Sequence, residues 1–158
     1  MDKNDLKIIA TLREDARTSL TEVSRMLNVP ISTIYDRLKL HNGTKIKKYS
    51  AILDFNEMGF PSRAKIFIKK GNTKKEELKE HLMKHFNVNS LYKINNGYDF
   101  IVDVIFSDMK ELEVFLENIE QKYGVKNPEV HYILEELKVE TFLSDRKFVD
   151  LVKLPENK

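Results

Sequence analysis

The 158-residue sequence has no cysteine and no tryptophan, and it carries only five glycines and four prolines. Without cysteine there can be no disulfide framework and no thiolate metal site, a usage that fits the cytoplasm. No run of about 18 apolar residues occurs, so no membrane-spanning helix is expected. The opening MDKNDLKIIATL begins with acids and lacks the apolar core of a signal peptide, so cytoplasmic localisation is the expectation. There is no low-complexity segment and no internal repeat. The phosphate loop, the Gly-x-Ser-x-Gly elbow and the glycine-rich dinucleotide fingerprint are all missing. The sequence therefore predicts no catalytic residues, no metal, no cofactor and no enzyme.

What is present is the composition of a globular protein, 41% hydrophobic and 33% charged, long enough for one medium or two small domains. The net charge of +2 is unevenly spread. Residues 1–50 hold ten Lys/Arg against six Asp/Glu, and residues 51–158 hold seventeen against nineteen. A basic N-terminal third on a nearly neutral body suits a polyanionic partner, though an ordinary solvated surface reads equally well from charge alone.

In DLKIIATLRED, Leu6, Ile9 and Ala10 recur at helical spacing. Ser19-Leu20-Thr21-Glu22 has the form of a capping box and opens a second helix through Val23 and Leu27. Asn28 tolerates the left-handed turn that must follow, and Pro30 can start a third helix. That helix, with Ile34 and Leu38 inward, is crowded with polar groups: Ser32, Thr33, Tyr35, Asp36, Arg37 and Lys39. Two short helices joined by about three residues, with one helix before them, form a helix-turn-helix. Its last helix enters the major groove, where hydroxyls and cations meet base edges and phosphates. Ser32, Thr33, Asp36 and Arg37 are expected on the outer side. Gly43 can end the helix, and Thr44–Leu53 alternates apolar and basic residues as a β-wing or exit strand would. Lys45, Lys47 and Lys48 would add phosphate contacts.

DFNEMGFP then reads as a linker. Ala64, Ile66 and Ile68 alternate as a strand, and Thr73-Lys74-Lys75-Glu76 resembles a capping box for a helix with Leu78, Leu82 and Phe86. Leu91–Ile94 is a short strand, and Asn96-Gly97 is a turn. Tyr98, Phe100, Val102, Val104 and Phe106 alternate cleanly. Asp108 caps a helix striped by Met109, Leu112, Leu116, Ile119 and Tyr123, ended by Gly124. Val130, Tyr132 and Leu134 give a last strand. The order βαββαβ is ferredoxin-like. Helices cover one sheet face only, so a second copy is the simplest cover for the other, and a homodimer is expected. Residues 144–158 read as a helical tail packed on the dimer or on a neighbouring subunit.

Two bland readings stand beside these. His81 and His85 have metal-ligand spacing, but a helix-surface pair without a third ligand is favoured. The acids from Asp108 to Glu120 form a solvated helix face.

The stretches DLKIIATLREDARTSLTEVSRMLNVPISTIYDRLKL, IKKYSAIL and NNGYDFIVDVIFSDMKELEVFLENI together resemble the Lrp/AsnC (leucine-responsive regulatory protein/AsnC) family of transcription regulators. The resemblance implies a prokaryotic, sequence-specific, feast/famine-type regulator of α+β class. Its parts would be a winged helix-turn-helix over 1–53, a hinge over 54–62, a ferredoxin-like RAM domain for effector binding and oligomerisation over 63–143, and the tail over 144–158. Double-stranded promoter DNA would be one partner and an amino acid or related small molecule another, with dimers assembling further, for example into octamers. DNA contacts carry over to Ser32, Thr33, Tyr35, Arg37 and Lys39, and an effector role to Asn96, Gly97, Tyr98 and Asp99. Three departures stand out. Asp36 replaces a basic or amide residue and either accepts from cytosine N4 or, the favoured reading, pairs with a cation such as Lys39. HNGTKI is one residue short. The glycine before Tyr98-Asp99 is displaced by one, which leaves open whether the loop takes a different ligand or none. The alternative functions are a sirohaem decarboxylase-like enzyme, to which His41 and His131 could contribute, and a metabolite sensor with a vestigial DNA-binding domain.

Overall fold

The computed structural model describes residues 1–69 and 74–153. Helix α1, Lys3–Glu14, begins at a reciprocal cap in which the Asp5 amide donates to Asp2 Oδ1 and the Asp2 amide to Asp5 Oδ2, both at 2.8 Å. Helix α2, Leu20–Leu27, has the capping box its sequence announces, with Ser19 and Glu22 bonding each other's amides at 3.2 and 2.9 Å. It ends on Asn28 in the left-handed conformation, φ 53° and ψ 45°. Helix α3, Ile31–His41, follows Pro30, and Gly43 at φ 74° takes the chain out of it. Ile8, Val23, Ile34 and Leu38 form the core where the three helices meet. Each such side chain stabilises by about 1.5–3 kcal/mol when fully buried.

One finding departs from the sequence reading of this unit and a second refines it. No wing strand forms: beyond α3 there is one isolated bridge, Asn42 with Ile46, and residues 47–53 carry no β structure. A strand needs a paired neighbour, and the alternating segment finds none here. The tail is a 3₁₀ helix, Arg146–Leu151, that packs on α1 of its own chain. Val149 is buried against Leu6 and Ala10. Helix α1 therefore buries two sides, and Ile8, not Ile9, is its inward residue toward α2 and α3. Residues 1–52 and 137–153 gather into one compact unit, and the described residues between them into a second.

The second unit runs β1 (Ser62–Lys69), α4 (Lys75–Lys84), β2 (Val88–Lys93), β3 (Tyr98–Phe106), α5 (Met109–Tyr123) and β4 (Glu129–Tyr132). The four strands order as β2-β3-β1-β4, all neighbours antiparallel, which is the ferredoxin-like arrangement. Period-two alternation sends Ala64, Ile66, Ile68, Phe100, Val102, Val104 and Phe106 onto Leu78, Leu82, Leu112, Phe115 and Ile119 of the helices. Asn96 (φ 59°) and Gly97 (φ 93°) make the turn between β2 and β3. Asp108 caps α5 by accepting from the Glu111 amide, and Gly124 closes it at φ 67°. Phe86 falls beyond the end of α4 and is 91% exposed, stacked on His85 rather than buried. Leu134 lies past the end of β4 and is exposed. Thr73, expected to cap α4, lies outside the described residues.

Candidate nucleic-acid interface and ligand-binding domain

Helix α3 separates its side chains cleanly. Ile34, Leu38 and His41 are buried, spaced i, i+4 and i+7. Ser32, Tyr35, Asp36 and Lys39 are exposed, spaced i, i+3, i+4 and i+7, so they form one outward stripe on the opposite side. Thr33 is half-buried at its edge. The hydroxyl, phenol, carboxylate and ammonium of that stripe can each reach a base edge or a phosphate. Lys47 and Lys48, just beyond, are exposed as well. The favoured Asp36–Lys39 pair does not form; among the described residues Asp36 makes no ion pair, which keeps its acceptor oxygens available.

Arg37 goes elsewhere. It was expected on the outer side, but it lies on the flank nearest His41, one turn away, and is turned toward α1. Its Nη1 donates to both Asp2 oxygens at 2.7 Å and to Asp5 Oδ1 at 2.8 Å. His41, 1% exposed, places Nε2 3.1 Å from the same Asp5 Oδ1, within ion-pair range. His41 Nδ1 lies 3.4 Å from Lys45 Nζ. Burial pushes the Asp5 carboxyl up. The Asp2 amide, then the His41 and Arg37 side chains beside it, outweigh that and hold it at about 2. Sequence reading missed Asp2 and Asp5, and it named His41 only for a tetrapyrrole-binding alternative, not beside Arg37. The signal was there: Arg37 and His41 are one turn apart beside the buried stripe, and two acids open α1.

In the second unit, the loop expected to frame an effector has a built geometry. Tyr98 donates its hydroxyl to Glu129 Oε2 at 2.8 Å, and Lys69 Nζ sits 2.8 Å from Glu129 Oε1. The Tyr98 ring meets Phe67 edge-on at 5.7 Å. The Glu129 bond raises the Tyr98 hydroxyl's pKa, and Lys69 first, then Tyr98, lower that of Glu129. Asp99 is buried and pairs with Lys75 in the first turn of α4. A bulge makes this possible: the β1–β3 register passes from Ile68↔Phe100 to Lys69↔Tyr98, which leaves Asp99 as the extra residue. Asn96 and Gly97 are exposed in the turn. So Tyr98 and Asp99 are adjacent in sequence but engage different partners, Glu129 and Lys75, neither of which the sequence reading singled out. His81 stacks on Tyr123 and His85 on Phe86, and no cluster of three metal-ligating side chains exists among the described residues.

The family profile of the AsnC-type helix-turn-helix domain matches residues 1–40, and that of the Lrp/AsnC ligand binding domain matches residues 64–143. The chain belongs to the Lrp/AsnC family. It is a DNA-binding transcription regulator with a ligand-binding domain, and no helix among its described residues is long and apolar enough to cross a membrane. Its relatives include the HTH-type transcriptional regulator FL11 of Pyrococcus horikoshii, 31% identical over 90% of this chain and 95% of that protein. An uncharacterised HTH-type transcriptional regulator of the same organism is 31% identical over 87% and 94%. Among solved structures, a Neisseria meningitidis transcriptional regulator in complex with L-methionine superposes with a TM-score of 0.79 at 24% identity, covering 88% of this chain and 93% of that one. Bacillus subtilis LrpC gives 0.79 at 21%, covering 87% and 97%. At these identities the likeness of the two structures is one of fold. The 3₁₀ helix that closes on α1 lies beyond the residues the two profiles match.

Proposed function

We propose that this Lrp/AsnC regulator reads duplex DNA through Ser32, Thr33, Tyr35, Asp36 and Lys39, with Lys47 and Lys48 on the flanking phosphates. The observation that carries this reading is the exposed stripe of α3, polar along its whole length and opposite the buried side that holds Ile34 and Leu38. Asp36, which has no cation partner among the described residues, suits the amino group of a cytosine. The second unit takes up an amino acid or a related small molecule, with Asn96, Gly97, Tyr98 and Asp99 at the ligand-binding loop; the methionine complex of the Neisseria relative supports that class. The sheet face turned away from α4 and α5, which bears Phe67, Ile101 and Ile105, meets a second copy, and dimers assemble further.

The test is equilibrium binding to duplexes from the region upstream of the protein's own gene, against a scrambled duplex, across a salt series. A preference of about a thousandfold or more supports the reading. Equal, weak binding to every upstream duplex counts against it. Light scattering of the free protein tests the dimer, and a monomer would count against the sheet-face contact.

A further inference from the structure

We infer that Arg37 is a positioning residue of the DNA reader rather than a groove contact: with Asp2, Asp5 and His41 it sets the rotation of α3 against α1. This rests on the regulator reading and adds to it the device that aims the stripe.

Four side chains converge. The two carboxylates that cap α1 through each other's amides are the two that receive Arg37 Nη1. Asp5 uses Oδ2 for the cap and Oδ1 for α3, where Arg37 and His41 both lie against it. The Asp5 side chain is 10% exposed, and removing Arg37 to a phosphate would leave that carboxylate with too few donors in a poorly hydrated place. Arg37 and His41 are i and i+4; Arg37 bonds α1 through Asp2 and Asp5, and the buried His41 ring lies against Asp5 one turn further along, so α3 is bonded to α1 at one height and packed on it at the next, which opposes both rolling and tilting. Base readout tolerates little of either, since reading groups must be held within roughly 0.5 Å and 10–20°. Lys45 extends the chain of interactions into the segment that leads to Lys47 and Lys48.

Charge logic makes the inference testable. If Arg37 met a phosphate, the acids holding it would compete with DNA, and Asp5→Asn would tighten binding. If Arg37 positions α3, Asp5→Asn weakens binding although it removes a negative charge. Specific and scrambled duplexes are titrated across salt with wild type, Arg37→Ala, Asp5→Asn, the double variant and Lys39→Ala. Asp2→Asn serves as a milder variant should Asp5→Asn fail to fold by circular dichroism. The expected result is about a tenfold or greater loss of specific affinity in Arg37→Ala and Asp5→Asn alike, with little further loss in the double variant. Scrambled-duplex affinity and the slope of log affinity against log salt stay at the wild-type values. Lys39→Ala lowers that slope by about 1 for each phosphate it no longer neutralises. A lowered slope in Arg37→Ala overturns the inference, and so does wild-type or tighter specific binding in Asp5→Asn or Asp2→Asn. If the wild type prefers no duplex, the regulator reading fails on its own. The α1–α3 coupling is then judged by thermal unfolding of the same double-mutant cycle, where strict additivity overturns it.

Discussion

Arg63 grips Asp103 with a two-pronged fork, Nε to Oδ1 at 3.0 Å and Nη2 to Oδ2 at 2.9 Å. The carboxylate is almost fully buried, and Asn89 Nδ2 adds a third donor at 3.0 Å. Arg63 also pairs with Glu136, the last residue of the second unit. Breaking one partner of a buried pair strands the other. Asp103→Ala should therefore destabilise the second unit by about 3 kcal/mol, read from denaturant midpoints. Replacing both residues by apolar ones, Arg63→Met with Asp103→Leu, should recover most of the loss. A single-variant loss under about 1 kcal/mol would mean the fork behaves as an ordinary surface pair.

Acid should loosen the DNA-binding unit through Asp5. Its carboxyl is held at about 2 against an ordinary 3.8, so the folded state keeps it charged to lower pH than the unfolded state does. The stabilisation is whole above the ordinary value and is lost as pH falls from about 4 through about 2; it is on the order of 2 kcal/mol. Asp5→Asn should be less stable at neutral pH and should show a flatter stability profile across that window.

The tail should matter to the N-terminal unit. Val149 is fully buried against Leu6 and Ala10, and around it Arg13 Nη2 donates to the Glu140 carbonyl at 2.7 Å. Val149→Ala removes two methyl groups and opens a cavity, for a loss of about 2 kcal/mol. Hydrogen exchange should place the loss in α1, with β3 unaffected. Faster exchange in β3 but not in α1 would contradict the packing.

The histidine pair gives a second pH window, in the other unit. Burial lowers the pKa of both rings, helped by Lys122 at His81 and by His81 at His85. Both sit below their ordinary 6.5, so the stability they support is present above that value and declines as pH falls below it. Thermal midpoints of the wild type should drop between about pH 7.5 and about pH 5, and His81→Phe should reduce the drop.

Local signals were the legible ones. Ser19 with Glu22, Asn28 and the Asn96-Gly97 turn each encode a backbone requirement within four residues, and all three are met. Alternation gave the strands of the sheet for the same reason: burial on one face imposes a period of two. What was not legible depends on partners far along the chain. Arg37 has polar, outward neighbours, which places it on the outer side by pattern alone, whereas the carboxylates that hold it against α1 are more than thirty residues upstream. Spacing puts Ile9 with Leu6 and Ala10, but α1 is covered on two sides and turns Ile8 toward α2 and α3. The wing pattern from Thr44 to Leu53 was real as a pattern, but pairing is a property of two segments, and no second segment pairs with it among the described residues.

The return of the tail to α1 also imposes an order of assembly. The ligand-binding domain is, in effect, an insertion into the DNA-binding unit, entered after residue 52 and left at 137. Leu6 and Val149 are separated by the whole of it. As the chain emerges from the ribosome, α1 to α3 appear first, yet α1 keeps one apolar side uncovered until residues 137–153 follow. The second apolar side of α1 is thus covered only after the ligand-binding domain has been synthesised.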